Sequence, residues 1–331
     1  MKGRRRTGGG VLRGVLAAAA ALGGLSTVGC TTNPTTGRTH FELFGLSREQ
    51  EIALGAQEGP RFAAEFGGAA PSPELQAYVA RIGRAMAAKT EGDYPTLPWE
   101  FTLLNSDVIN AFALPGGKVY LSRGLAARMT NEAQLAAVIG HEIGHVTARH
   151  VSERMADANM TSLIIGAGAT VAGDGYGQTV SEIGQQVGGV VLLKFGRDQE
   201  SEADALGMRY MTRVDPPYNP RGAYQVMEIL AAASAGGRSP EILSTHPYPE
   251  TRMQRINEQL RGAYASMVSD PRFSLREAEF RRDFLAKLSA LPAPPAARPR
   301  AMILGPGGVM AGVDLADASS WCLHCATGGG H

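Results

Sequence analysis

Chemistry concentrates at His141, Glu142 and His145. Two histidines four residues apart share one face of a helix, with Cβ atoms about 5–6 Å from one another. That suits two imidazole nitrogens meeting one Zn²⁺ at about 2.0–2.1 Å. Glu142, one residue along, stands beside such an ion rather than on it, where a general base for water activation belongs. The run Ala136-Ala-Val-Ile139 leading into the motif is apolar. Burying a His-Glu-His cluster in such a helix without a cation would be costly. The alternative is a helix face whose histidines are satisfied by ordinary hydrogen bonds.

A catalytic zinc takes three protein ligands and keeps a fourth position open. His150 is the nearest further histidine, but nine residues beyond His141 is about 900° of turn, the opposite face of a continuing helix. An extended metzincin pattern would need Gly and His where the chain has Ala148 and Val151. The third ligand is therefore expected from Asp198-Gln-Glu200-Ser-Glu202-Ala-Asp204. Glu200 and Asp204 are four apart and share a helix face. One carboxylate can bind the metal while the other accepts the N–H of a ligating imidazole and fixes its tautomer. Glu202 points about 200° away from Glu200 and is the weaker candidate. A solvated acidic helix start is the plainer reading of this run.

These side chains need elements to hold them. Asn131, with Gln134 three residues on, caps a helix expected to run to His150. Ser47 with Gln50 opens another helix, and Leu75, Val79, Ile82 and Met86 recur at helical spacing after Pro71-Ser-Pro73. Trp99–Leu104 and Lys118–Ser122 read as short strands, with Asn110-Ala111-Phe112-Ala113 as a possible third and Leu114-Pro-Gly-Gly117 as a turn. Residues 198–213, 220–235 and 250–264 read as helices. Between the two chemical motifs, the Gly- and Ala-rich segment 156–197 reads as two helices or a hairpin that covers the cleft. Its apolar patches, Leu163–Gly173 and Val187–Phe195, are too short to span a bilayer.

HEIGH at 141–145 followed by ESEAD at 200–204 resembles the zinc metallopeptidases of the CAAX prenyl protease and HtpX type, within the gluzincin group. The resemblance covers roughly residues 31–262. The start Cys30-Thr-Thr-Asn-Pro-Thr-Thr-Gly-Arg38 is similar to that of the soluble BepA-like periplasmic lipoprotein branch. What the resemblance implies is an α+β fold, mostly helical, with a small antiparallel or mixed sheet beside the active-site helix. It implies one Zn²⁺ per chain, with Glu200 as third ligand and Asp204 behind the ligands. Ser244-Thr-His246-Pro247 and Arg252 match a further family motif. By that match His246 approaches the zinc or the transition state, or closes the fourth position and holds the enzyme latent, while Arg252 steadies the site. Asn110, Ala111, Phe112 and Ala113 match an edge strand that pairs with substrate backbone, a mode that needs only free N–H and C=O groups. The implied function is a zinc endopeptidase of the bacterial cell envelope acting on misfolded or misassembled proteins. The alternative is a zinc-bound, largely non-proteolytic chaperone or assembly factor with the site closed by His246. A third reading, a structural zinc domain, requires four fixed protein ligands.

The chain's ends and composition complete the expectations. Lys2 and Arg4–Arg6 precede an apolar stretch, Val15–Val28, shorter than the ~20 residues of a membrane span. Residues 1–29 thus read as a secretory signal, and its end at Cys30 resembles a lipoprotein signal, which implies a lipidated Cys30 and a periplasmic protein anchored to the outer membrane. The alternative is an ordinary cleaved signal with an incidental cysteine. Thr27 stands where such signals usually carry Leu. Residues 30–46 read as a linker, 47–288 as the metallopeptidase domain and 289–331 as a Pro/Gly-rich tail. In the tail, Cys322, His324, Cys325 and His331 suit a second metal or a local disulfide. Residues 263–331 show no 34-residue helical repeat, so recruitment of envelope assembly machinery through the tetratricopeptide array of that branch is not expected. With 32 Lys+Arg against 31 Asp+Glu, the chain lacks the basic surplus expected of a nucleic-acid binder.

Overall fold

The computed structural model describes residues 30–41, 45–157, 194–235, 240–295, 300–304 and 310–314. The signal segment, most of segment 156–197 and the Cys322–His331 cluster lie outside the described residues. The first element is a short antiparallel hairpin, β1 (Cys30–Thr32) against β2 (Thr39–Phe41). Its loop is tied to the body: buried Asn33 donates from Nδ2 to the carbonyl of Thr147 at 2.9 Å. Its Oδ1 accepts the N–H of Thr35 at 2.8 Å.

Helix α1 (Arg48–Glu65) opens with the capping box of Ser47 and Gln50. Helix α2 (Pro73–Ala87) starts under a Ser72 cap and buries Leu75, Val79, Ile82 and Met86, the stripe its sequence spacing announces. Three strands follow, β3 (Glu100–Leu104), β4 (Ala111–Leu114) and β5 (Lys118–Ser122), in the order β3-β5-β4. β3 runs parallel to β5 and β4 antiparallel to it, so the sheet is mixed and β4 is an edge. The β4–β5 turn needs its glycines: Gly116 and Gly117 have φ of 75° and 90°, and a Cβ on Gly116 would meet the Cα of Ile52 at 2.6 Å. Phe62, Phe66, Phe112 and Tyr120 form a small cluster between α1 and the sheet.

After the short α3 (Arg123–Ala126) comes α4 (Glu132–Thr147), buried at every residue. Asn131 accepts the N–H of Gln134 at 3.0 Å, as its sequence position predicts. Glu132 in the first turn gathers the hydroxyls of Tyr78 and Tyr218 and the guanidinium groups of Arg81 and Arg276. A carboxylate there also complements the helix dipole. The helix expected to reach His150 stops at Thr147. Arg149 adopts φ 62°, which interrupts the helix, and the chain resumes helical turns over 150–157.

Helix α5 (Arg197–Arg213) packs lengthwise on α4, followed by α6 (Arg221–Ser234), α7 (Ile242–Thr245), α8 (Pro249–Arg261) and α9 (Ala265–Ser269). Helix α10 (Glu277–Phe280) passes through a π turn at Arg281–Leu285 into α11 (Ala286–Ser289). Strands β6 (Arg300–Leu304) and β7 (Met310–Asp314) form an antiparallel hairpin in the region read as tail. The fold is therefore α+β and mostly helical, with one small mixed sheet beside α4. Among the described residues no helix is long and apolar enough to cross a membrane.

Candidate metal centre

Glycine sets the distance between the two helices that carry the motifs. A Cβ on Gly144 would lie 2.9 Å from the carbonyl oxygen of Ala203, and one on Gly207 2.8 Å from the backbone nitrogen of His141. Gly140 likewise faces Gly207 at 3.0 Å. The absent side chains let α4 and α5 touch backbone to backbone, and short imidazole and carboxylate side chains then reach one another. The Gly140-x-x-x-Gly144 and Ala203-x-x-x-Gly207 spacings carry this signal in the sequence.

At the junction, His141 Nε2 and His145 Nε2 stand 3.0 Å apart. Glu200 Oε1 lies 3.4 Å from His145 Nε2, and Glu200 Oε2 3.6 Å from His141 Nε2. His246, from the end of α7, brings Nδ1 to 3.3 Å from His141 Nε2 and 3.0 Å from Glu200 Oε1. All four donor atoms lie within 4.8 Å of one another, and all four residues are buried. Tetrahedral ligands with bonds of about 2.0–2.1 Å stand about 3.3–3.4 Å apart, so this donor set fits a divalent cation. The buried group is able to hold a metal ion.

The surroundings set the charge of each member. Burial alone would raise the Glu200 carboxyl, but Arg252 and the imidazoles of His246 and His145 hold it well below the usual carboxylate range. Arg252 bridges two carboxylates: Nη1 is 2.7 Å from Glu200 Oε2, Nη2 2.6 Å from Asp204 Oδ1, and Nε 2.8 Å from Asp204 Oδ2. Asp204 is also held low, Arg252 outweighing its burial. Its Oδ1 sits 2.9 Å from His141 Nδ1, on the side of the ring away from the Nε2 that faces the cluster. Burial pushes His145 well below its ordinary value, toward the neutral ligand form. His246 is also buried, but the Glu200 and Glu142 carboxylates outweigh that and raise it.

Glu142 differs from the rest. Burial raises its carboxyl, and among the described residues neither oxygen has a hydrogen-bond partner. His246 Nε2 stands 3.7 Å from its Oε1. Beside it opens a recess of about 420 Å³ walled by Val138, Met208, Val226, Met227 and Leu230. A second recess, of about 260 Å³, lies where Ala113 and Leu114 of β4 approach His145 and Val146. Ala111, Phe112 and Ala113 are in the edge strand; Asn110 precedes it and pairs with Ser122.

Two features differ from the sequence reading. His150, expected on the far face, is turned back by the break at Arg149, and its Nδ1 is 2.9 Å from His145 Nδ1. It stands behind the His145 ring, outside the group of donor atoms. Glu202, the weaker carboxylate by its spacing, accepts from His150 Nε2 at 3.0 Å. A third feature has no sequence signal: Phe195 lies against the His145 ring, centroids 4.0 Å apart, and donates its backbone N–H to Thr245.

A His-Glu-x-x-His helix with a third donor from a following helix is the side-chain set of metallopeptidases. The family model described as Peptidase family M48 matches residues 73–260, more than half of the chain, and the chain belongs to that family. It is 33% identical over 224 residues to the beta-barrel assembly-enhancing protease of Escherichia coli K12, covering 63% of this chain and 45% of that protein. The protein of that name from Yersinia pestis is 31% identical over 223 residues, covering 63% of this chain and 43% of its own. The mitochondrial metalloendopeptidase OMA1 of Schizosaccharomyces pombe is 32% identical over 231 residues, covering 69% and 65%. The chain thus spans about half the length of the assembly-enhancing proteases it matches.

Proposed function

We propose that this protein is a zinc-dependent endopeptidase of the bacterial cell envelope that hydrolyses peptide bonds in misfolded or misassembled proteins. The observation that carries the reading is the convergence of His141, His145 and Glu200 at donor spacings of 3.0–3.6 Å beside a buried carboxylate, Glu142, whose oxygens accept no hydrogen bond among the described residues. In this reading the three side chains hold one Zn²⁺. When bound, zinc supplies a Lewis acid that polarises a carbonyl and acidifies water.

The chain's own residues supply the rest. Glu142 takes a proton from the attacking water and delivers it to the departing amine. Its raised carboxyl and its lack of competing hydrogen bonds support both halves of that task. Asp204 fixes the His141 tautomer, and Arg252 keeps both Glu200 and Asp204 ionised. The edge position of β4 supports Ala111, Phe112 and Ala113 as the strand that pairs with an extended substrate. Cys30 is read as a lipidated residue that tethers the chain to the outer membrane on its periplasmic side, where envelope assembly machinery is a partner. The name of the E. coli relative supports that setting.

One observation favours the second reading, a largely non-proteolytic assembly factor: His246 Nδ1 already lies within bonding range of the donor cluster. An imidazole in the fourth ligand position displaces the water that Glu142 would deprotonate. The test is Glu142→Gln, assayed for zinc content and for cleavage of an unfolded protein such as casein. The peptidase reading expects zinc retained and cleavage lost. Full biological activity in the Gln variant supports the assembly-factor reading and overturns the proteolytic one.

A further inference from the structure

Behind the cluster, His145 is backed by a chain of polar groups that none of these roles uses. His145 Nδ1 and His150 Nδ1 are 2.9 Å apart, with the rings crossed at 73°. On its other side His150 Nε2 is 3.0 Å from Glu202 Oε2, and that oxygen accepts from Arg38 Nη2 at 2.7 Å. His150 is wholly buried, so both of its ring nitrogens need partners and both have them.

With a cation taking His145 Nε2, one pattern of protons satisfies the contacts from His145 to Glu202. His145 turns Nε2 toward the donor cluster, so its proton sits on Nδ1 and is donated to His150 Nδ1. His150 must then carry its own proton on Nε2, which it donates to the Glu202 carboxylate. The two histidines of α4 are therefore oriented by different means. His141 meets a carboxylate directly, whereas His145 meets one through an intervening imidazole.

We propose that His150, held by Glu202, is a positioning residue for the metal site: it fixes the tautomer and the ring rotation of His145. The proposal rests on the reading of His145 as a metal ligand. Groups that hold the far nitrogen of a ligating imidazole set its basicity and aim, and losing one costs about 10–100-fold in metal affinity. Arg38 is the outermost link and its side chain is 41% exposed, so solvent screens its pairing with Glu202 and its loss costs little. The break at Arg149 is what makes the arrangement possible, because an unbroken helix would carry His150 away from His145.

A merely structural role for His150 predicts a different pattern from a positioning role. The test measures the zinc dissociation constant, by competition with a chromophoric chelator, in the wild type, His150→Phe and His150→Asn. Phe keeps an aromatic ring but offers no acceptor, whereas Asn keeps an acceptor near the place of Nδ1. His150→Phe should bind zinc about 10–100-fold more weakly, and His150→Asn should stay close to the wild type. In the zinc-loaded wild type and His150→Asn, NMR should show the His145 Nδ1–H proton protected from exchange; in His150→Phe it should be lost. Glu202→Leu gives a second route, since Glu202 lies at the edge of the network. It should weaken zinc in the same direction and broaden the same resonance. Wild-type affinity in His150→Phe, equal losses in the Phe and Asn variants, or an unaffected Glu202→Leu overturns the proposal. A wild type that binds no zinc overturns the ligand reading and this inference with it, a pattern distinct from the other three.

Discussion

Replacing Gly144 by Ala adds one methyl group at the point where α4 and α5 touch. That Cβ would stand 2.9 Å from the Ala203 carbonyl oxygen, 3.0 Å from its Cα and 3.2 Å from the Leu206 Cβ. Two of these neighbours are backbone atoms, so no rotamer change relieves the contact. Ordinary contact begins at 3.4 Å, so α5 must retreat by about 0.5 Å in a close-packed interior. Overpacking of this kind costs about 1–3 kcal/mol. Ala in place of Gly returns about 0.8–1.0 kcal/mol of helix propensity. The net loss is at most about 2 kcal/mol, or a melting temperature lower by about 4–8 °C for a domain of this size. The larger effect falls on the site, because Glu200 rides on α5 and the histidines on α4. Metal bonds are held to about ±0.2 Å, so a retreat of about 0.5 Å should weaken zinc binding by far more than it weakens the fold. Calorimetry of metal-free protein and a zinc competition titration measure the two effects separately. A Gly144→Ala protein that binds zinc and cleaves as the wild type does would refute the reasoning that glycine contact sets the donor spacing.

Glu132→Ala should destabilise metal-free protein by about 3–5 kcal/mol in denaturant melts, because it strands Arg276 and two tyrosine hydroxyls beneath the start of α4. The same residue sets a pH dependence. Although burial opposes it, hydrogen bonds from Tyr218 and Tyr78, with Arg81 and Arg276, lower the folded carboxyl below its unfolded value. Its stabilisation is therefore complete above the unfolded value of about 4.3 and fades as pH falls through the lowered folded one. The stability difference between wild type and Glu132→Gln should shrink over that acid range; a constant difference contradicts the assignment. His246→Ala should leave zinc bound, more weakly for the lost donor, while raising basal casein cleavage if that ring blocks the water position; unchanged cleavage with unchanged affinity would remove His246 from the cluster.

Side-chain spacing makes much of the site legible in the sequence. His141 with His145, and Glu200 with Asp204, are i, i+4 pairs, and helical geometry alone puts each pair on one face. The caps at Ser47, Ser72 and Asn131 and the turn at Gly116-Gly117 are local features that depend on a few adjacent residues. The features that spacing does not announce depend on non-local structure. Helical periodicity misplaces His150 because Arg149 adopts a left-handed backbone with no Gly or Asn to signal it. Glu202 matters only once His150 is turned back. Phe195 reaches His145 across the fold, and Asn33 reaches Thr147 from a segment whose composition reads as linker.

Zinc-edge anomalous diffraction from crystals of the zinc-loaded protein tests the central claim most directly. The account predicts one peak between α4 and α5, about 2.0–2.2 Å from His141 Nε2, His145 Nε2 and an oxygen of Glu200. No peak there, or an ion bound by the histidines with Glu200 out of reach, would contradict it.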